Sequence, residues 1–208
     1  MKPRGVFITF EGPEGSGKSS QARRLVQALR RAGCRVVFVR DPGSTPLGRR
    51  LRRLLLHDRR VLSPLAEAFL FITGRIQLVD EAIRPALRRG AIVVCDRFHD
   101  STVAYQGFGG GVNVRWLETV GREAIGGLLP DVTILLDVPT SVGLSRLAHR
   151  RDRMERKPHA FHQRVRQGFL RLARQQPRRF VVIDATQSKP QIARRIREAV
   201  FARLHELG

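Results

Sequence analysis

Gly12-Pro13-Glu14-Gly15-Ser16-Gly17-Lys18-Ser19 is the stretch on which the reading of this chain turns. The eight residues fit G-x-x-x-x-G-K-[ST], a pattern that carries weight only when a strand leads into it and a helix leads out. Both conditions hold. Upstream, Gly5 to Glu11 (GVFITFE) is an apolar, β-rich run suited to a buried parallel strand. Downstream, Ala22, Leu25, Val26, Ala28 and Leu29 recur at helical spacing within Lys18 to Arg31, and Gly33 ends the run. In this setting Gly12, Gly15 and Gly17 let successive backbone N–H groups turn toward phosphate oxygens. The helix adds the positive end of its dipole. Lys18 is placed to neutralise outer phosphates, and Ser19 to set its hydroxyl on Mg2+.

The same alternation continues outward. Arg35 to Arg40, Ala91 to Cys95, Val132 to Val138 and Phe180 to Asp184 are further short apolar runs. Amphipathic stretches separate them: Leu47 to Leu56, Pro64 to Arg88, Val114 to Ile125, and a helix from Ser141. Phe161, Val165, Phe169 and Leu172 mark another helix, and Ile192, Ile196, Val200 and Leu204 the last. Gly107 to Gly111 reads as a glycine loop, and Arg150 to Pro158 as an arginine-rich lid without apolar pattern. Strands alternating with helices predict an α/β fold: a five-stranded parallel sheet with helices on both faces, in a single domain over residues 1–208.

Composition narrows the function classes. Apolar residues make up 42% and charged residues 27%, enough for a core and against a disordered chain. The apolar runs are too short to span a bilayer, and the start of the chain does not read as a signal peptide. Two cysteines, Cys34 and Cys95, make no disulfide framework and suit a reducing compartment, so the cytoplasm is expected. The net charge of +21 comes from arginine, since only four of the 39 basic residues are lysine. Arginine pairs such as Arg23-Arg24, Arg59-Arg60 and Arg194-Arg195 are spread along polar helix faces rather than gathered in one tail. With aromatics at 6%, a nucleic-acid partner is not expected despite the charge.

A phosphate-binding loop without the N-K-x-D that guanine-specific GTPases need points to a small-molecule kinase. Such an enzyme brings two anions together, so its catalysis is positioning plus cations, and arginine at several separate points serves both. Asp96 to Gly107 (DRFHDSTVAYQG) resembles the D-R-[YF]-x-x-S-x-x-A-Y-Q-G segment of thymidylate kinases. Arg40 to Thr45 (RDPGST) resembles their R-E-P-G-G-T. Phe71 with Arg75-Ile76-Gln77-Leu78 resembles their F-x-x-x-R-x-Q-L helix. Leu136-Asp137-Val138, Gly143 to Arg146, and Asp184-Ala185-Thr186 also have counterparts. The resemblance spans nearly the whole chain.

It implies phosphoryl transfer from ATP to dTMP, giving dTDP and ADP, with Mg2+ and in a homodimer. Gly12, Pro13, Glu14, Gly15, Ser16, Gly17, Lys18 and Ser19 would hold the ATP phosphates, with Arg146 and Ala185 near adenine. Glu14 would also touch the 3′-hydroxyl side of dTMP. Phe71 would stack on thymine and Arg75 bond its carbonyl oxygen. Arg97 would hold the dTMP phosphate with help from Arg52. Ser101 and Gln106 would read the base and its surroundings, and Tyr105 would crowd the 2′ position. Asp96 would hold Mg2+ through water, beside Ser19. The loop itself carries no arginine, so the resemblance implies a catalytic cation from the lid: Arg153 first and Arg150 second, acting with Lys18 and Arg97.

Asp41 and Ser44 stand where the family usually has Glu and Gly, and Ala160 and His162 where Asp and an aromatic are common. A nucleoside kinase on the same scaffold is the competing enzyme. It would need a carboxylate base after the second strand, where Asp41 lies, whereas a phosphate acceptor is already ionised and needs none.

Overall fold

The computed structural model describes residues 5–58, 62–147 and 152–207. Five strands, β1 (Phe7–Glu11), β2 (Val36–Arg40), β3 (Ile92–Asp96), β4 (Val132–Asp137) and β5 (Phe180–Asp184), form one parallel sheet in the order β2-β3-β1-β4-β5. Each lies within a residue or two of its expected run. β1 is central and buried along its whole length, which is why it reads as an unbroken apolar run. Because all strands point the same way, Glu11, Arg40, Asp96, Asp137 and Asp184 end at one edge of the sheet. That edge of an open parallel sheet is where ligands bind.

Helices cover both faces. Ile8 and Phe10 of β1 and Ile134 and Leu136 of β4 pack with Leu25 and Leu29 of α1 (Lys18–Arg31) and Ile192 and Ile196 of α9 (Lys189–Leu207). Leu135 turns to the other face. There it joins Leu51 and Leu55 of α2 (Pro46–His57), Ala68 of α3 (Pro64–Leu78) and Val165 and Phe169 of α8 (His159–Gln175). Alternate residues of a strand point to opposite faces, so one strand feeds both cores. Shorter elements, α4 (Arg84–Arg88), α5 (His99–Thr102), α6 (Val114–Ala124) and α7 (Thr140–Ser145), connect these parts.

Two expectations change. The helix over residues 64–88 is interrupted by a π-helical turn at Val79–Ile83. Pro85 follows at once, and proline inside a helix removes a donor and crowds the preceding turn, so wider winding relieves it. The glycine loop at 107–111 is partly absorbed into a second π-helical turn, Val103–Gly109, which continues α5. Close packing draws it in: a Cβ on Gly109 would lie 2.7 Å from the Phe161 ring of α8. Among the described residues no helix is long and apolar enough to cross a membrane.

Candidate active site

A cleft of about 470 Å3 runs along the carboxyl edge of the sheet, from the phosphate-binding loop to α3. At the loop, Gly12, Gly15 and Gly17 have φ of 143°, 69° and 87°, values in the region glycine occupies freely. Gly15 has a second constraint, because a Cβ there would lie 1.9 Å from the Gly143 carbonyl oxygen. Ser16 Oγ donates to Pro13 O at 2.9 Å. Lys18 is buried, and its Nζ donates to Pro13 O at 2.7 Å and Ser16 Oγ at 3.1 Å. Burial first, then Arg97, push the Lys18 ammonium down to about 8 against the pull of Glu14, Asp96 and Glu11. Ser19 Oγ donates to Asp96 Oδ2 at 2.6 Å, and Arg40 Nε reaches the same oxygen at 3.1 Å. A hydroxyl and a carboxylate side by side are hard oxygen donors of the kind Mg2+ takes, along with waters and substrate phosphates.

Arg97 stands at the middle of the cleft. It follows β3 with φ 70°, an unusual value for a residue with a side chain and one that tends to persist at functional sites. Its Nη1 donates to Gly12 O and Ser101 Oγ, both at 3.2 Å. Its Nη2 donates to Glu14 Oε1 at 2.8 Å and Tyr105 Oη at 3.2 Å. Tyr105 Oη donates to the same Glu14 oxygen at 2.7 Å, and the guanidinium lies 5.0 Å from the Tyr105 ring centre. Burial works against the Glu14 carboxylate, but Arg97, Lys18 and the Tyr105 hydroxyl overcome it and hold its pKa at about 2. Burial likewise opposes the Arg97 cation, yet Glu14 keeps the guanidinium more firmly protonated than usual. Four expected site residues, Glu14, Arg97, Ser101 and Tyr105, are thus gathered in one hydrogen-bonded cluster.

Beneath that cluster lies a residue the sequence reading passed over. Glu11, at the end of β1, is fully buried and accepts from Phe98 N at 2.8 Å and from Ser101 Oγ. Burial, helped by Asp100, pushes its carboxyl up to about 8. Its signal was present as a lone acid ending an otherwise apolar strand.

At the far end, Arg75 is 1% exposed, so it is no surface charge. Nε donates to Asp41 Oδ2, Nη2 donates to Thr102 Oγ1 at 2.9 Å, and Nη1 lies 3.4 Å from His99 Nδ1. Asp41 is therefore committed to an ion pair deep in the cleft rather than free to serve as a base, although burial still raises its pKa against the pull of Arg75. Phe71, one helical turn before Arg75, is half-buried and lines the same cleft. Gln106, from the second π-helical turn, donates from Nε2 to Glu67 Oε2 at 3.1 Å. Arg52 also lines the cleft and donates to Pro42 O at 3.3 Å, with burial and the neighbouring Arg40 and Arg97 lowering its pKa. Asp41, Glu67, His99 and Thr102 were missed as partners because only the fold brings them to Arg75 and Gln106.

The side of the cleft beyond β4 and β5 is simpler. Arg146 Nη1 donates to Ala185 O at 2.9 Å, and Ala185 N donates to Asp137 O at 2.7 Å. Arg166, to which the sequence reading gave no role, grips Asp137 with two bonds of 2.7 and 2.8 Å. The lid departs from expectation. Arg153 is not directed at the phosphate-binding loop: Nε donates to Leu55 O at 2.8 Å and Nη1 is paired with Glu67. Its backbone N also donates, to Leu56 O at 3.0 Å. The reason is electrostatic, since Glu67 is 2% exposed and a buried carboxylate needs a cation. Arg150 lies outside the described residues, as does Arg151.

Comparisons with known proteins give the family. A family model described as thymidylate kinase matches residues 10–196. The thymidylate kinase of Deinococcus radiodurans is 48% identical over 204 residues, covering 97% of this chain and 99% of that one. That of Trichlorobacter lovleyi is 45% identical over 208 residues, covering 96% and 98%. Among solved structures, the thymidylate kinase from Ehrlichia chaffeensis superposes with a TM-score of 0.78 at 32% identity, over 95% of this chain and 99% of that chain.

Proposed function

The chain belongs to the thymidylate kinase family, a kinase that phosphorylates dTMP with ATP as co-substrate, and from that premise we propose how its cleft divides the work. The loop Gly12–Ser19 holds the ATP phosphates, with adenine over Arg146 and the Ala185 loop. Thymine lies between Phe71 and Arg75, read by Gln106, and Arg97 and Arg52 take the dTMP phosphate. The observation that carries this arrangement is the Glu14–Arg97–Tyr105 cluster, which joins the loop to the base end within one cleft.

The acceptor phosphate is already ionised, so the site needs no general base and works by alignment and charge. Lys18 follows the transferring phosphoryl group. Arg97 is held by acceptors on three sides and stays cationic, and the incoming dTMP phosphate takes over part of the pairing that Glu14 supplies. Glu14, released from some of that pairing, accepts from the 3′-hydroxyl. Tyr105, fixed on Glu14, fills the space a 2′-hydroxyl would occupy. Ser19 and Asp96, the latter through water, would hold Mg2+, which when bound screens the phosphate charges. With Arg153 engaged on Glu67, the lid cation falls to Arg150 by its position in the sequence. The whole chain acts as one kinase domain.

A homodimer is supported by an apolar strip: Leu65 and Phe69 of α3 are 45% and 48% exposed, and Trp116 of α6 packs its ring 5.7 Å from Phe69. Phe69→Glu should then convert a dimer to a monomer in sedimentation. The free cysteines Cys34 and Cys95 suit the cytoplasm, and the scattered exposed arginines of α1 and α9 suit solvation rather than nucleic-acid binding. The deciding experiment is ATP turnover with a panel of nucleoside monophosphates. The proposed base end stands if dTMP is preferred over dCMP and AMP, and falls if they are turned over alike.

A further inference from the structure

We propose that Glu67 decides which pyrimidine the cleft accepts, by fixing the side-chain amide of Gln106. The proposal rests on the reading above that Arg75 and Gln106 face the base. Glu67 lies on α3, one helical turn before Phe71, and is 2% exposed. Its Oε1 is paired with Arg153 and lies 3.8 Å from Lys157 Nζ, while Oε2 accepts from Gln106 Nε2 at 3.1 Å. A carboxylate already paired with cations has only acceptors to offer, so it can meet the NH2 half of an amide and not the carbonyl half. The amide of Gln106 is thereby locked against turning over. Its Oε1 must point away from Glu67, and among the described residues no donor reaches it. Gln106 itself is buried at 1% exposure and lines the cleft.

Arg75 supplies the complementary half. A guanidinium has five N–H groups, and Asp41, Thr102 and His99 engage one each. Among the described residues the remaining two have no acceptor. The base end therefore presents a donor from Arg75 and an acceptor from Gln106. Thymine and uracil match such a pair, because both carry a carbonyl oxygen at C4 next to an N–H at N3. Cytosine does not: it has an amino group at C4 and a bare lone pair at N3. That would set N–H against N–H at Arg75 and lone pair against lone pair at Gln106. Sites built from buried hydrogen-bonding groups reject a mismatched ligand strongly, because the groups are left unpaired. Glu67 touches no substrate in this account and is a positioning residue. Arg153 acts one step further back, as the cation that engages the other oxygen of Glu67.

The test is Glu67→Gln, with kcat/KM measured for dTMP, dUMP and dCMP. An amide at position 67 can offer either half to Gln106, so the lock is lost. The preferences for dTMP and for dUMP over dCMP should fall together, by roughly tenfold or more. Loss of kcat/KM by one common factor for all three nucleotides would mean that Glu67 only holds the fold, and would overturn the proposal. Gln106→Leu separates the two layers. If it leaves the preference intact, Gln106 does not read the base and the underlying reading fails. If it lowers the preference while Glu67→Gln does not, the proposal alone fails. Should Glu67→Gln not fold, the exchange Glu67→Gln with Gln106→Glu keeps a carboxylate–amide pair and still turns an acceptor to the base. It should retain the preference for dTMP over dCMP, and loss of that preference would overturn the proposal.

Discussion

The two ends of the cleft are built in opposite ways. The phosphate end is eight consecutive residues whose work is done by backbone conformation, with three glycines at positive φ and one lysine folded onto the loop. The base end draws residues 41, 67, 71, 75, 99, 102, 106 and 153 from five segments of the chain and holds them by buried ion pairs and hydrogen bonds. A loop of the first kind depends little on its neighbours for shape. An arrangement of the second kind fails as a unit, because removing one buried charge strands its partner.

The largest effect is expected at the phosphate end. Lys18→Ala should lower kcat by about a hundred- to a thousandfold with little change in thermal stability, since Lys18 bonds only within its own loop. Steady-state turnover with a parallel melting curve checks it, and a marked fall in Tm would erase the contrast between the two ends.

Arg75→Ala should do both kinds of damage. Losing the donor to thymine should raise the KM for dTMP about ten- to a hundredfold. Leaving Asp41 buried without its cation should remove on the order of 3–5 kcal/mol of stability. Removing both charges, as Asp41→Leu with Arg75→Met, should recover much of the melting temperature and none of the dTMP affinity. Recovery of binding in the double variant would show that Arg75 does not meet the base.

Glu11 joins the two ends and makes a pH prediction. Its folded pKa of about 8 lies above the ordinary 4.5, so between those values the folded chain keeps a proton that the unfolded chain gives up. The stabilisation is complete below the lower value and is lost as pH rises through the upper one. Glu11→Gln imitates the protonated acid and can still accept from Phe98 N while donating to Ser101 Oγ. The variant should match the parent in Tm near about pH 4, gain on it as pH rises, and exceed it most near about pH 9. Equal differences at both pH values would place the carboxyl's titration elsewhere.

The smallest effect on turnover is expected at Arg153. Bonded to Leu55 O and Glu67, it contributes to the base end, so Arg153→Ala should keep kcat for dTMP within about threefold, less than ~0.7 kcal/mol, while lowering Tm. Arg150→Ala should lower kcat more. A collapse of kcat in Arg153→Ala without any fall in Tm would restore Arg153 as the lid cation.

The sequence read well where the determinant is local. The strand into Gly12, the helix out of Lys18, and the periodicities of α8 and α9 needed only neighbours three or four residues apart to be recognised. Phe161, Val165, Phe169 and Leu172 are all buried as their spacing requires. Charged side chains read less well, because charge alone does not say whether a partner waits in another element. Arg75 and Arg153 are alike in sequence as arginines among apolar or basic neighbours, and one lines the cleft while the other lies behind it.

By itself the sequence determined the parallel α/β fold, the glycine loop between β1 and α1, and the family to which the chain belongs. These follow from short-range periodicity, glycine conformation and an ordered set of motifs, all of which survive being written in one dimension. Only the tertiary structure decided that Asp41 clamps Arg75, that Glu67 accepts from the Gln106 amide, that Glu11 lies buried beside Ser101, and that Arg153 bonds to Leu55 and Glu67. Those facts are pairings between residues 34 to 98 positions apart, chosen because a charge taken out of water must find its partner wherever the packed core has put it.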